Sequence, residues 1–234
     1  METHELQSRI AAVQERTAAA ARRAGRDPAE VTLVAVSKMH APEEVAAAYA
    51  AGLRVFGENR VEEAAPKTGA VARLVAPAEP PAWHLIGHLQ SRKAEDVLPW
   101  ASMVHSVDSV KLAQRLSRFV TAEKLPILLE VNVSGAASKY GFQAEELPGA
   151  VEAIAALPGI TLQGLMTVAP IAADPEDVRP VFAALRALRD ELTRSYPTLD
   201  WRHLSMGMTD DFEVAIQEGA TIVRVGRAIF GERM

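Results

Sequence analysis

Three observations predict an α/β fold of the (β/α)8 TIM-barrel type. Eight short apolar runs rich in β-branched residues alternate with helical patterns from residue 31 onward. The first run, Val31-Thr-Leu-Val-Ala-Val-Ser-Lys38, is apolar on both faces, as a parallel sheet covered by helices requires. A length of 234 residues is normal for one such barrel. A doubly wound open sheet is the structural rival. It would need edge strands, and none of the eight runs is blunted by charge or proline as an edge should be. One domain over 1–234 is expected, with no internal repeat and no linker.

In chain order, Leu6, Ile10, Val13, Thr17, Ala20 and Ala21 form one stripe of an amphipathic helix over 3–24, closed by Gly25. The first strand is too short for a helix and lies between the breakers Asp27-Pro28 and Ala41-Pro42. Pro42 opens a helix that Ala51-Gly52 ends, and Arg54–Asn59 is the second strand, with a helix to about residue 75. The proline-rich stretch Ala76–Pro81 is too short for an interdomain linker. Trp83–Leu89 is the third strand, Ser91–Leu98 a short helix, and Met103–Val107 the fourth strand, with Asp108-Ser109 capping the next helix. Pro126–Val133 is the fifth strand, followed by a loop over Ser134–Phe142 and a helix near 144–156. Ile160–Val168 is the sixth, Pro175–Tyr196 a long helix, Trp201–Gly207 the seventh, Asp210–Glu218 a short helix and Thr221–Phe230 the eighth. The chain stops four residues later, so no helix is expected there, and the amino-terminal helix is expected to cover the gap beside strands one and eight.

Composition excludes several function classes. A net charge of -5 and a pI near 5.7 argue against nucleic acid or an anionic membrane as partner. Without cysteine there is no disulfide framework, thiolate chemistry or cysteine-held metal. The acidic, polar start Met1-Glu-Thr-His-Glu-Leu is unlike a signal peptide, and no apolar run is long enough to span a bilayer, so a cytoplasmic location is expected.

The chemistry of a barrel gathers where its strands end. Lys38, Asn59, His84, His88, Asn132, Met166, Ser205-Met-Gly-Met-Thr209 and Arg224-Val-Gly-Arg227 collect there. A lysine held largely out of water has a depressed pKa and can condense with an aldehyde, although a strand-end lysine more commonly reaches out into solvent. Gly207 and Gly226 let backbone amides approach an anion, Ser205 and Thr209 add hydroxyls, Arg227 adds charge, and a helix from Asp210 would present free N–H groups. Arg224, inward-facing in an apolar strand, needs a partner: an internal carboxylate such as Glu58 or Glu130, or a ring nitrogen of a bound heterocycle. The histidines lack metal-ligand spacing and read as hydrogen-bonded core or rim residues. An aldehyde trap, a phosphate cradle and an arginine between them describe a pocket for pyridoxal 5′-phosphate (PLP), and Schiff-base aldolases share the first two parts.

Ala35-Val-Ser-Lys38, Phe56-Gly-Glu-Asn59, Trp83-His-Leu-Ile-Gly-His-Leu-Gln90, Gly164-Leu-Met-Thr167, Leu204–Asp211 and Val223–Gly231 together resemble the pyridoxal phosphate homeostasis protein family (the YggS/PROSC type). The likeness runs from about residue 5 to the end. That family looks like the barrel domain of alanine racemases and other fold-type III enzymes. The resemblance implies PLP as cofactor, held as a Lys38 aldimine. Ser205, Gly226 and Arg227, with Thr209 nearby, would hold the phosphate. Arg224 would face the pyridine nitrogen, Asn59 and Met208 would line the ring or its phosphate, and His84 would be a rim residue only. Two departures are visible: Arg92 stands where the family usually has asparagine before the lysine, and Thr209 where it often has serine. Neither touches the aldehyde trap.

The resemblance implies a cofactor carrier, buffer or regulator with little or no turnover, with apo PLP-dependent enzymes as possible recipients. An arginine at the ring nitrogen opposes its protonation and weakens the electron sink of a PLP catalyst, which racemases tolerate. The alternative is an amino-acid racemase or related fold-type III enzyme. Those racemases take a second base from a further carboxyl-terminal domain, which is not expected here because the sequence ends at Met234 just after the eighth strand, and Tyr140 is the only mouth-loop tyrosine that could substitute. A monomer is expected. Lys93 and Lys139 are candidate amines for releasing the cofactor.

Overall fold

A computed structural model of the chain describes residues 3–121, 123–133 and 140–232. Among these residues, eight parallel strands close into a barrel in sequence order, β1 to β8. They are β1 (Thr32–Val36), β2 (Val55–Glu58), β3 (Ala82–Leu85), β4 (Met103–Val107), β5 (Leu125–Glu130), β6 (Ile160–Met166), β7 (His203–Ser205) and β8 (Ile222–Val225). The seam is a run of paired residues, Thr32 with Ile222, Leu33 with Val223, Val34 with Arg224 and Ala35 with Val225. The predicted fold class therefore holds.

The helices on the outside are α1 (Thr3–Arg23), α2 (Pro42–Ala50), α3 (Val61–Val75), α4 (Ala94–Val97), α5 (Val110–Phe119), α6 (Leu147–Ala155), α7 (Arg179–Ser195), α8 (Phe212–Gln217) and α9 (Arg227–Phe230). Pro42 starts α2, and the Ser109 hydroxyl accepts from the Leu112 amide to cap α5, as the sequence pattern indicates. Each presents apolar residues to the strands, and most of the core lies in this shell. A smaller, separate apolar cluster of Val34, Met103, Leu128, Met166 and Ile222 lies inside the barrel, with Val55 packed against it.

Several strands end short of the sequence pattern, two of them by most. The third strand stops at Leu85, and residues beyond it fold into the mouth. The eighth stops at Val225, and Arg227–Phe230 form one helical turn, so a helix does follow β8, although a minimal one. Apolar runs such as Ala228-Ile-Phe230 suit a buried turn as well as a strand, and periodicity cannot separate them over so few residues. The placement of α1 holds. Its buried face, which includes Leu6, Ile10 and Val13, packs against α8, α9 and α2 and so covers the outside of β8 and β1. Arg26, just past α1, donates to the Ile216 and Ala220 carbonyls at 3.0 and 2.8 Å and ties the helix end to the chain entering β8. No helix of the described residues is long and apolar enough to cross a membrane.

Ile10 is fully buried at this seam. Replacing it by alanine leaves a cavity beneath α1 and is expected to cost about 2–5 kcal/mol. Urea unfolding of Ile10→Ala measures this, and a loss near zero would mean that α1 does not close the shell.

Candidate functional site

The carboxyl-terminal ends of the strands form the mouth. Lys38 lies two residues beyond the end of β1 and is half-buried. Next to it, at the end of β2, the Asn59 side-chain oxygen is buried and has no hydrogen-bond partner among the described residues. The chain leaving β3 rests on the same asparagine: a Cβ at Gly87 would stand 2.4 Å from the Asn59 carbonyl oxygen.

The other side of Lys38 is bounded by β8 and the loop from β7. Gly226 packs on the end of β1, where a Cβ would meet the Val36 carbonyl oxygen at 3.3 Å. The first amide N–H groups of α9, just after Gly226, have no intrahelical acceptor. Gly207 has a φ of 93°, and a Cβ there would stand 2.6 Å from the Ala215 Cβ, so the β7 loop can fold onto α8 only with glycine. Its carbonyl accepts from the Arg224 amide at 3.0 Å, joining the loops of β7 and β8. Met208 and Thr209 are half-buried in this loop. Helix α8 begins at Phe212 rather than Asp210, and the Asp211 carboxylate takes up the Met208 N–H at 2.6 Å. The Arg227 guanidinium is exposed and paired with Asp210.

Arg224 is only 4% exposed. Its guanidinium donates to the Ser205 hydroxyl at 2.6 Å and to the Thr167 carbonyl at 2.8 Å. Beyond Ser205, His105 Nδ1 lies 2.9 Å from the Ser205 hydroxyl, and His105 Nε2 lies 3.0 Å from His84 Nδ1. Among the described residues the Ser205 hydroxyl meets no acceptor other than His105, so the assignment that satisfies each group runs one way. Arg224 donates to Ser205, Ser205 to His105 and His105 to His84. Burial keeps both rings neutral, lowering His84 to about 4 and His105 well below its ordinary range. Burial also lowers the Arg224 guanidinium to about 10, so it stays charged at neutral pH.

Glu58 is not the partner of Arg224. It lies outside the barrel wall, 2.9 Å from Lys67 Nζ. Glu130, at the end of β5, is close enough to Arg224 to favour its charged form. Burial, reinforced by the Asp108 charge, raises the Glu130 carboxyl to about 7. Near Asp108, His88 Nδ1 stands 3.0 Å from the Asp108 carboxylate, and the His88 ring stacks on Tyr140 with centroids 3.7 Å apart. The Lys93 amine is paired with Glu62. Lys139 falls outside the described residues. Among the described residues no group of histidine and acidic side chains could hold a metal ion.

The structure thus places Lys38, Asn59, Met208, Thr209, Gly226 and Arg227 at or beside one mouth, with Ser205 and Arg224 directly beneath it. The His84–His105–Ser205 chain, the His88–Asp108–Tyr140 group and buried Lys67 were not singled out in the sequence as functional units. Alternation along Met103-Val-His-Ser-Val107 does carry a signal for His105, since it puts His105 on the face of Met103, in the barrel interior.

Residues 9–234 match the family model described as alanine racemase, N-terminal domain. Proteins named pyridoxal phosphate homeostasis protein are similar over nearly the whole chain. That of Aquifex aeolicus is 43% identical over 227 residues, covering 96% of this chain and 97% of the relative. That of Pseudomonas aeruginosa is 46% identical over 226 residues, covering 96% and 94%. Among solved structures, PipY of Synechococcus elongatus PCC7942 with PLP bound superposes with a TM-score of 0.83 at 34% identity, covering 97% of this chain and 100% of that one. Alanine racemase from Corynebacterium glutamicum shares the fold, with a TM-score of 0.68 at 19% identity, covering 95% of this chain and 60% of the racemase.

The raised carboxyl of Glu130 has a testable sign. Its folded value of about 7 exceeds the ordinary 4.5, so between those values the folded state binds the extra proton and stability falls as pH rises. The two histidines act oppositely, costing stability as pH falls below 6.5. Their contribution cancels in a comparison of Glu130→Gln with wild type. The variant is expected to match wild type near pH 4.5 and to exceed it above pH 7 by up to about 3 kcal/mol. Denaturant unfolding across this range checks it, and a pH-independent difference would refute it.

Proposed function

Because the chain belongs to the alanine racemase N-terminal-domain family, and within it to the pyridoxal phosphate homeostasis proteins, we propose that it binds PLP at the barrel mouth through Lys38. It acts as a cytoplasmic, monomeric carrier or buffer of the cofactor, with little or no turnover of its own, and supplies apo PLP-dependent enzymes.

The observation that carries this reading is the adjacency of Lys38 and Gly226. They follow paired strands, and Gly226 packs on Val36, two residues before the lysine. One small molecule with an aldehyde and a phosphate on a planar ring can engage both. The surrounding residues fit that molecule. The unpartnered oxygen of Asn59 awaits a donor, and the close packing at Gly226 leaves amides beside the end of β1. When bound, PLP supplies an aldehyde that condenses with an amine and a ring that draws in electrons. In this proposal Lys38 provides the amine of an imine bond. Gly226, Arg227 and Thr209 hold the phosphate, chiefly through N–H groups, and Met208 and Asn59 border the ring. Ser205, whose hydroxyl is engaged by Arg224 and His105, supports the site by placing Arg224 below the ring nitrogen.

Arg224 sets this site apart from PLP catalysts that need a pyridinium, although racemases tolerate an arginine there. A fixed positive charge at the ring nitrogen disfavours the pyridinium form and weakens the electron sink. One observation favours the second reading, a racemase. Tyr140, stacked on a histidine that pairs with Asp108, puts acid–base groups on the mouth.

Visible absorbance of the protein with added PLP separates these readings. Wild type is expected to develop an imine band that borohydride fixes to the protein, and Lys38→Ala is expected to lack it. Identical spectra would remove Lys38 as the anchor. An amino-acid racemase assay is expected to show no rate above background. A clear rate abolished both by Lys38→Ala and by Tyr140→Phe would replace the carrier by the enzyme.

A further inference from the structure

Lys67 is 6% exposed, lies on α3 outside the barrel wall and takes no part in the site described above. All three donors of its ammonium are used: toward the Ser37 carbonyl at 2.9 Å, Glu58 Oε1 at 2.9 Å and Glu63 Oε1 at 2.6 Å. Both carboxylates also reach the chain around Lys38. Glu58 accepts from the Ser37 hydroxyl at 2.7 Å, and Glu63 accepts from the Met39 amide. Ser37, before Lys38, is therefore held by Lys67 and Glu58, and Met39, after it, by Glu63, which the Lys67 ammonium joins to the other two.

The backbone they hold is unusual. The His40 amide donates to the Ser37 carbonyl at 3.1 Å, closing a tight turn, and Met39 within that turn has a φ of 66°. A side chain other than glycine rarely adopts this conformation, and it persists only where surrounding contacts over-determine it. The far end of the turn is held as well, with His40 stacked on Phe230 at 4.6 Å between ring centroids. A buried ion cluster is a poor source of stability, because taking its charges out of water costs about as much as their attraction returns. Its direct bonds to Ser37 and Met39 suggest a local task instead.

We propose that Glu58, Glu63 and Lys67 are positioning residues for Lys38, fixing the turn that carries its amine at the barrel mouth. This inference rests on the reading of Lys38 as the amine that anchors PLP. Glu63 is the most accessible test point, since its side chain is 25% exposed and its removal leaves the Lys67–Glu58 pair in place.

Two ligands distinguish positioning from general support of the barrel. PLP bonds to the lysine, whereas pyridoxamine 5′-phosphate has the same ring and phosphate but no aldehyde. Binding of both is measured by fluorescence titration for wild type, Glu63→Ala and Glu63→Gln. Glu63→Ala is expected to weaken PLP about tenfold, equivalent to about 1.4 kcal/mol, and to leave pyridoxamine 5′-phosphate unchanged. Glu63→Gln keeps an oxygen for the Met39 N–H and is expected to recover most of the PLP affinity. Equal weakening of both ligands would make the cluster a structural brace, and no weakening of either would make it irrelevant to the site. Either result overturns the proposal. A wild type without an imine band in its visible absorbance spectrum would overturn the anchor role of Lys38 itself, a readout separate from the titration.

Discussion

The pairing of β1 with β8 is the constraint on which the rest depends. An eight-stranded parallel sheet left open here would expose two unpaired edges, and closure removes both. The same register sets the chemistry. Val34 stands level with Arg224 and Ala35 with Val225, so the two chains leave the barrel side by side, one toward Lys38 and the other into Gly226. The helix that covers this seam comes from the amino terminus rather than from the end of the chain. Residues far apart in sequence thereby shield the join that assembles the site.

Below the mouth the barrel changes character. Part of its interior is apolar, around Val34, Met103, Leu128, Met166 and Ile222. Beside it runs a polar, satisfied chain, with Arg224, Ser205, His105 and His84 linked across four strands. A buried guanidinium is tolerable because a hydroxyl and a carbonyl oxygen receive it, and because Glu130 and Asp211 lie within electrostatic reach. Outside the wall, Lys67 and its two carboxylates form a second polar cluster on the far side of the Lys38 strand.

Much of this was legible in the sequence. Runs such as Met103–Val107 can be little else than buried strands in a chain of this pattern, and all five residues are buried. Lys38, Gly207 and Gly226 could be assigned to the mouth because strand ends are marked by breakers and turn residues. What stayed hidden depends on pairings across the barrel. His105 and Ser205 are a hundred residues apart, and nothing local announces their contact. Lys67 sits in a helix whose first turn carries Glu62 and Glu63, a pattern that ordinarily marks a solvated face. Only the tertiary structure turns it inward. The end of β8 was misjudged for a different reason, since a run as short as Ala228-Ile-Phe230 does not reveal whether it extends or coils.

The one-way chain from Arg224 to His84 has a further consequence. Its aligned donors could pass a proton only toward His84, and only if Arg224 gave one up and a ring took one. Both rings resist protonation and the guanidinium stays charged, which blocks that transfer near neutral pH. The barrel interior is in this sense a proton insulator beneath the mouth. Proton exchange at the site is left to water and to groups on the rim, while the charge of Arg224 remains constant under it.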